Sequence, residues 1–172
     1  MQKVLVISGT GDAHADHMCK VLGTRNIPHF FFPTNKYPYE SQITFDISEG
    51  FILSYHENCI KLDGSWSIWN RRVFSPDFPD GFPKRLEEMV NEEAKRTIQG
   101  MMVSHNGLVV NNPFENHRAN NKIEQLQHAR KLGLNVPDTI ITNNPIKAQE
   151  FYYKNRGDII FKMQKLPIIF FS

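Results

Sequence analysis

A strand, a glycine turn and an amphipathic helical pattern follow one another at the start of the chain, and this succession most constrains the fold. Lys3–Ser8 is a short β-branched run that ends at a Gly-Thr-Gly turn, residues 9–11, as is typical of a buried parallel strand. In residues 12–22 the apolar side chains recur every three or four positions, an aspartate can cap the start, and Gly23 can end the helix. Residues 29–32 predict the next strand, so the first third is expected to form a β-α-β unit.

The spacing of apolar side chains changes in the middle of the chain. Residues 43–47 alternate apolar with polar side chains, 48–50 predict a turn, and 51–53 resume the alternation. This pattern indicates an antiparallel hairpin inserted in or beside the sheet. Residues 60–62 can add a third short strand, and 66–72 are strand-like before three prolines that enforce a loop.

The second half mixes helical and strand patterns without an internal repeat. Helices are predicted at 83–105, 118–132 and 145–154, and strands at 108–110, 138–142 and 158–162. The expected fold class is α/β, with a parallel sheet and an inserted antiparallel hairpin in residues 1–105 and a small α/β unit in residues 106–172. The apolar run 166–171 ends abruptly, which favours a truncated part of a longer protein over a self-contained β-structure.

Charge and cysteine content exclude several classes of protein. The 172 residues contain 20 Lys+Arg and 18 Asp+Glu, a net charge of +2, which gives no reason to expect a nucleic acid partner. No apolar run approaches the roughly 20 residues that cross a bilayer, so neither membrane insertion nor secretion is expected. Cys19 and Cys59 lack the spacing of a zinc or redox site, and we interpret them as reduced thiols of a cytoplasmic protein.

Two features of the first turn and helix invite a ligand-binding interpretation that their spacing does not favour. The glycine turn resembles a phosphate-binding loop, but His14 stands at the third glycine position and no Walker lysine follows; a tight turn is favoured. Asp12, His14, Asp16 and His17 could ligate a metal, but only Asp12 and Asp16 have the four-residue separation that aligns side chains on a helix. We therefore assign no metal site and no catalytic residue.

The stronger candidates are two arginines and two lysines. Arg71 and Arg72 follow a strand, where α/β sheets bind ligands, and their forked guanidinium groups suit carboxylate or phosphate. The alternative, that one arginine pairs with an acidic neighbour and is structural, stays open. Lys122 falls on a predicted helix, and Lys162 directly follows the apolar residues 159–161.

These residues lie within a longer pattern that resembles the linker region of ATP-grasp peptide ligases, and most of all the microviridin-type peptide maturases. The matching residues are 116–122, 125–126, 129–139, 141–145, Ala148 and Phe151. Residues 4–8, the acidic and histidine residues of the first helix, and residues 67–72 resemble the pre-ATP-grasp domain of the same family. One departure is Asn70, where that family commonly has a tyrosine.

The resemblance implies a Rossmann-like pre-ATP-grasp domain in residues 1–105, followed by a linker and a truncated start of an ATP-grasp domain in 106–172. It implies an enzyme that uses ATP to phosphorylate a side-chain carboxylate of a ribosomally made precursor peptide, after which an amine or hydroxyl displaces phosphate. Lys122 and Lys162 match the two lysines that contact the nucleotide phosphates in such ligases. Arg71 and Arg72 would then bind the peptide substrate.

The resemblance also implies what this chain lacks. The Mg²⁺ ligands and most of the adenine pocket belong to the later part of the family's sequences, so ATP and Mg²⁺ are expected for the full-length enzyme and weak binding, or none, for this chain alone. The precursor peptide is the expected partner, and a homodimer is left open. The alternative function is a free-standing, non-catalytic module that binds a peptide or another partner; nucleotide binding by residues 9–12 is less favoured.

Overall fold

The computed structural model describes residues 2–162. In chain order the elements are β1 (Lys3–Ser8), α1 (Ala13–Thr24), β2 (His29–Pro33), β3 (Ser41–Asp46), β4 (Gly50–Tyr55), β5 (Asn58–Leu62), β6 (Trp66–Asn70), α2 (Lys84–Ser104), β7 (Val109–Val110), α3 (Pro113–Ala119), α4 (Lys122–Lys131) and α5 (Pro145–Lys154). A short 3₁₀ turn, Thr34–Lys36, follows β2.

Four of the strands form a parallel sheet in the order β2-β1-β6-β7. β1 lies inside this sheet, and Leu5, Val6 and Ile7 are fully buried, as a near-continuous apolar run in a two-sided sheet requires. The predicted α/β fold with a β-α-β opening is confirmed.

The first helix begins as predicted and ends differently. The Asp12 carboxylate accepts a hydrogen bond from the N–H of His14 at 3.0 Å and caps the helix. Gly23 lies inside α1, so its predicted role as the C-cap is wrong. The left-handed residue is Asn26, with φ of 54°, a conformation that asparagine tolerates better than most side chains.

The inserted hairpin is confirmed and is extended by β5 into a three-stranded antiparallel sheet. Leu53 and Leu62 of this sheet share one core with Ile68 of the parallel sheet and Ile98 of α2. The hairpin is therefore packed into the first unit through apolar burial, which supplies most of the favourable free energy of folding.

The chain divides into two compact units, Met1–Asn116 and a second that begins at His117. Because β7 pairs with β6, the first compact unit includes β7, and the domain boundary at residue 105 stays a prediction. In the predicted helix 118–132 the structure has α3 and α4, since Asn121 interrupts it by accepting hydrogen bonds from the N–H groups of Ile123 and Glu124.

The predicted strands at 138–142 and 158–162 are wrong. Both segments lack strand structure, because a strand needs a hydrogen-bonded neighbour and neither segment pairs with another one within residues 2–162. Their apolar side chains are exposed, Ile160 to 79% and Phe161 to 89%. The apolar run 166–171 lies outside the described residues.

Candidate functional site

Loops that follow β1, β2 and β6 lie side by side at one edge of the parallel sheet, because these three strands are parallel and adjacent. We call residues 8–12, 33–36 and 70–77 the carboxyl edge. Open α/β sheets bind ligands in the crevice outside the carboxyl ends of their strands. This edge is therefore the candidate substrate site of the first unit.

Arg71 is held by a carboxylate. Its Nε lies 3.6 Å from Oδ2 of Asp12, whose side chain is only 6% exposed. Burial acts to raise the pKa of Asp12, but the Ser8 hydroxyl at 2.8 Å, the backbone N–H groups of His14 and Ala15, and the Arg71 charge together lower it below its ordinary value. Asp12 is thus ionised at neutral pH and pairs with Arg71. This pairing is the structural role that the sequence left open for one of the two arginines.

Arg72 has different surroundings. Its guanidinium carbon lies 5.2 Å from the centre of the Phe74 ring, a cation–π geometry. The residue is exposed, and its side chain forms no ion pair with a carboxylate in the described part of the chain. Its forked donors therefore face solvent, where they are available to a carboxylate or phosphoryl group.

The glycine turn after β1 is filled by protein. A Cβ placed on Gly9 would lie 2.6 Å from the Phe74 ring, so the ring packs directly on the Gly9 backbone. The N–H of Thr10 donates to Oδ1 of Asn35 at 2.8 Å, and Gly11 has φ of +81°. These contacts support the tight-turn interpretation over a phosphate-binding loop, whose N–H groups would point at the ligand.

Two residues of the carboxyl edge, Thr34 and Asn35, were missed by the sequence analysis. They are 1% and 8% exposed, and Asn35 joins the glycine turn to Asp77 through its side chain. The signal available in the sequence is a Thr-Asn pair directly after the apolar run 29–33, where a buried polar group needs a partner.

Asn70 and Asn111 form a second polar pair that the sequence did not reveal. The side-chain amide of each donates to the backbone carbonyl of the other, at 2.9 Å from Asn70 and 3.1 Å from Asn111. The pair joins the ends of β6 and β7, so Asn70 closes the sheet next to the arginines.

The two predicted phosphate-binding lysines lie in the second unit. Lys122 is the first residue of α4 and is half-buried, and Lys162 is exposed in an extended segment. Neither side chain forms a hydrogen bond or ion pair with another residue between positions 2 and 162. Cationic side chains of this kind are chemically suited to nucleotide phosphates, and their assignment stays a prediction.

The described residues contain neither a cluster of three metal-ligating side chains nor a helix that could span a membrane. Residues 2–162 contain no group of three or more His, Cys, Asp or Glu side chains placed to hold a metal ion. None of the helices described is long and apolar enough to span a bilayer.

Comparison with known proteins identifies the family. The family model of the MvdD pre-ATP grasp domain matches residues 3–118. The macrocyclase MdnC of Microcystis aeruginosa MRC, solved with its precursor peptide MdnA, is 26% identical with a TM-score of 0.90 over 98% of this chain and 56% of its own. Curated protein sequences include no significant match.

Two further solved structures are also similar to this chain. The macrocyclase MdnB of the same organism is 28% identical, with a TM-score of 0.78 over 91% of this chain and 53% of its own. A Chryseobacterium gregarium RiPP-associated ATP-grasp ligase, solved with ADP and a leader and core peptide, is 25% identical, with a TM-score of 0.81 over 91% of this chain and 49% of its own. This chain thus spans about half the length of these relatives, two macrocyclases and an ATP-grasp ligase, and it belongs to the MvdD pre-ATP-grasp family.

Proposed function

We propose that this chain is the N-terminal part of an ATP-dependent ligase that crosslinks a ribosomally made precursor peptide. The observation that carries the proposal is the family match across residues 3–118, together with the likeness to MdnC over 98% of the chain. MdnC was solved with a precursor peptide, and the Chryseobacterium ligase with ADP and peptides. A cytoplasmic location, expected from the unpaired thiols of Cys19 and Cys59, is part of the proposal.

The proposed reaction has two balanced steps. A side-chain carboxylate oxygen of the peptide attacks the γ-phosphorus of ATP, the bond to ADP breaks, and an acyl phosphate forms. An amine or hydroxyl of the peptide then attacks the carbonyl carbon, inorganic phosphate leaves, and the nucleophile loses its proton. The product is an amide or an ester.

In this proposal the second unit forms the linker and the start of the ATP-grasp domain. Lys122 and Lys162 would offset negative charge on the nucleotide phosphates, which is the main electrostatic demand of phosphoryl transfer. The Mg²⁺ that this chemistry requires would be held by the later part of the full-length enzyme, as the family resemblance implies.

The carboxyl edge would bind the peptide. Arg72 is exposed and has its guanidinium fork free of carboxylates within residues 2–162, whereas Arg71 is paired with Asp12. We therefore assign substrate carboxylate or phosphoryl oxygens mainly to Arg72. Arg71 would contribute the donors that Asp12 does not engage.

Mass spectrometry tests the proposal. The complete gene product would be incubated with Mg-ATP and candidate ribosomally made precursor peptides. We expect each peptide crosslink to remove one water and to release one ADP and one phosphate. Peptide binding without ATP consumption or mass loss would contradict the ligase and support the non-catalytic binding module instead.

A further inference from the structure

The segment that carries Arg72 across the carboxyl edge has no regular secondary structure, yet it is anchored along its length. At its start the N–H groups of Arg71 and Arg72 both donate to the carbonyl of Ile7, at 3.0 and 3.3 Å. The next anchors come from the turn after β2 rather than from β1. The position of the segment is therefore set by two neighbouring strands.

Thr34 provides the anchor nearest to Arg72. Its hydroxyl oxygen accepts a hydrogen bond from the N–H of Phe74 at 2.9 Å. Thr34 is buried and the bond is part-buried, so loss of the hydroxyl would leave this N–H group without its protein partner.

Asn35 provides the second anchor. Its carbonyl accepts from the N–H of Asp77 at 2.7 Å, and its Nδ2 donates to Oδ2 of Asp77 and to the Thr10 hydroxyl, both at 2.8 Å. With Oδ1 accepting from the Thr10 N–H, every polar atom of the Asn35 amide is used. Lys36, with its Nζ 3.3 Å from the same Asp77 oxygen, adds charge to this anchor.

The Thr34 anchor acts on Arg72 through Phe74, the residue whose N–H it binds. The Phe74 ring packs against Gly9, and the Arg72 guanidinium lies over the same ring. A shift of the Phe74 backbone would therefore move the surface on which the guanidinium rests. Small displacements of a positioning group have large effects on rate, since donors must meet the reacting group in a defined geometry.

We infer that Thr34 is a positioning residue that holds Arg72, through Phe74, in its substrate-binding orientation, while Asn35 fixes the same segment farther along at Asp77. This inference rests on the proposed function, because it assumes that Arg72 contacts the peptide substrate or the transferring phosphoryl group. Neither residue touches the substrate itself.

The primary test is Thr34→Val in the complete gene product, since valine has nearly the same shape and lacks the hydroxyl. We expect turnover to fall about tenfold while the KM for ATP stays unchanged, and Thr34→Ser, which keeps the hydroxyl, to restore turnover. In an Arg72→Ala background, Thr34→Val should cause no further loss, because the group it positions is gone. If the two losses multiply, or if serine fails to restore turnover, the inference is wrong.

A second variant covers the case in which Thr34→Val does not fold. Phe74→Leu keeps the backbone N–H and its bond to Thr34 but removes the ring beneath Arg72. It should lower turnover by a similar factor, again with no further effect on Arg72→Ala. A Phe74→Leu enzyme with wild-type turnover would overturn the inference.

A spectroscopic measurement separates this inference from the proposed function. In this chain the Phe74 ring current should shift the NMR signal of the Arg72 Nε–H group, and Thr34→Val should move that signal toward its position in Phe74→Leu. An unmoved signal would refute the positioning role even if the enzyme is active. A wild-type gene product that neither consumes ATP nor modifies peptide would refute the proposed function alone.

Discussion

Arg71 and Arg72 are adjacent in the chain, but their surroundings give them different roles. The Arg71 Nε faces the buried carboxylate of Asp12, whereas the Arg72 guanidinium lies on an aromatic ring and is open to solvent. An arginine already paired with a buried charge is costly to redirect. We therefore propose Arg72, rather than Arg71, as the main donor to the substrate.

Arg72→Ala in the complete gene product is expected to lower turnover about 100-fold, the usual loss when a transition-state donor is removed. Peptide crosslinking measured by mass spectrometry gives the rate. Arg96→Ala is the matched control, because Arg96 is exposed on α2 and forms no ion pair with a described residue. Unchanged turnover with reduced thermal stability would mean that Arg72 is structural.

The lowered pKa of Asp12 predicts a pH dependence of stability. Its folded-state pKa lies below its ordinary value of 3.8, so its contribution is fully present above that value and is lost as the pH falls through the folded-state pKa. Asp12→Asn, which can still cap α1, should flatten this part of the stability curve. Urea unfolding of this chain between about pH 5 and pH 2 measures the difference; parallel curves for both proteins would contradict the prediction.

Substitution of Gly9 tests the packing of the carboxyl edge without changing a charged residue. Gly9→Ala places a methyl group 2.6 Å from the Phe74 ring, and overpacking of this kind costs about 1–3 kcal/mol of unfolding free energy. Gly64→Ala is the control, since its added Cβ meets nothing within 4 Å. Equal unfolding free energies for the two variants, measured by denaturant titration, would show that the Phe74 ring is not seated on Gly9.

At the scale of elements, α2 is packed unevenly. Its fully buried residues, Ala94, Ile98, Met101 and Met102, all lie in its second half, whereas Met89 in the first half is 57% exposed. The second half therefore carries the contact with the core shared by both sheets.

Substitutions in the second half of α2 should therefore lower the free energy of unfolding more than substitutions in its first half. Ile98→Ala removes a side chain that is 1% exposed and should cost about 2–5 kcal/mol of unfolding free energy through lost burial and a cavity. Met89→Ala should change it by less than about 0.5 kcal/mol, as is usual at exposed positions. Denaturant unfolding checks both, and a large loss in Met89→Ala would indicate that the first half is also packed.

At the scale of the whole molecule, the two predicted phosphate-binding lysines decide how well this chain alone can bind a nucleotide. Lys122 is half-buried and Lys162 exposed, so their attraction for phosphates is screened by salt and competes with water. We expect this chain alone to bind Mg-ATP with a Kd of about 1 mM or weaker, equivalent to about 4 kcal/mol.

Calorimetric titration measures this affinity, with the complete gene product as the matched control. The complete protein should bind more tightly and consume ATP when peptide is present. Micromolar binding by this chain alone would show that it contains a full nucleotide site, contrary to the proposal.

Local patterns in the sequence determined much of the first unit. The β-α-β opening, the hairpin after it and the long helix α2 each follow a period of two or of about 3.6 residues, and the Asp12 cap needs only its immediate neighbours. The family resemblance was visible for the same reason, since its motifs are short stretches of adjacent residues.

Tertiary structure decided what depends on distant residues. Asn35 finds Thr10 at a separation of 25 residues and Asp77 at 42, and the choice between the two arginines depends on where Asp12 lies. The wrong strand predictions at 138–142 and 158–162 also arise because strand formation depends on residues distant in the chain. Side-chain period predicts that a segment can form a strand, but only a neighbouring strand can satisfy its backbone hydrogen bonds.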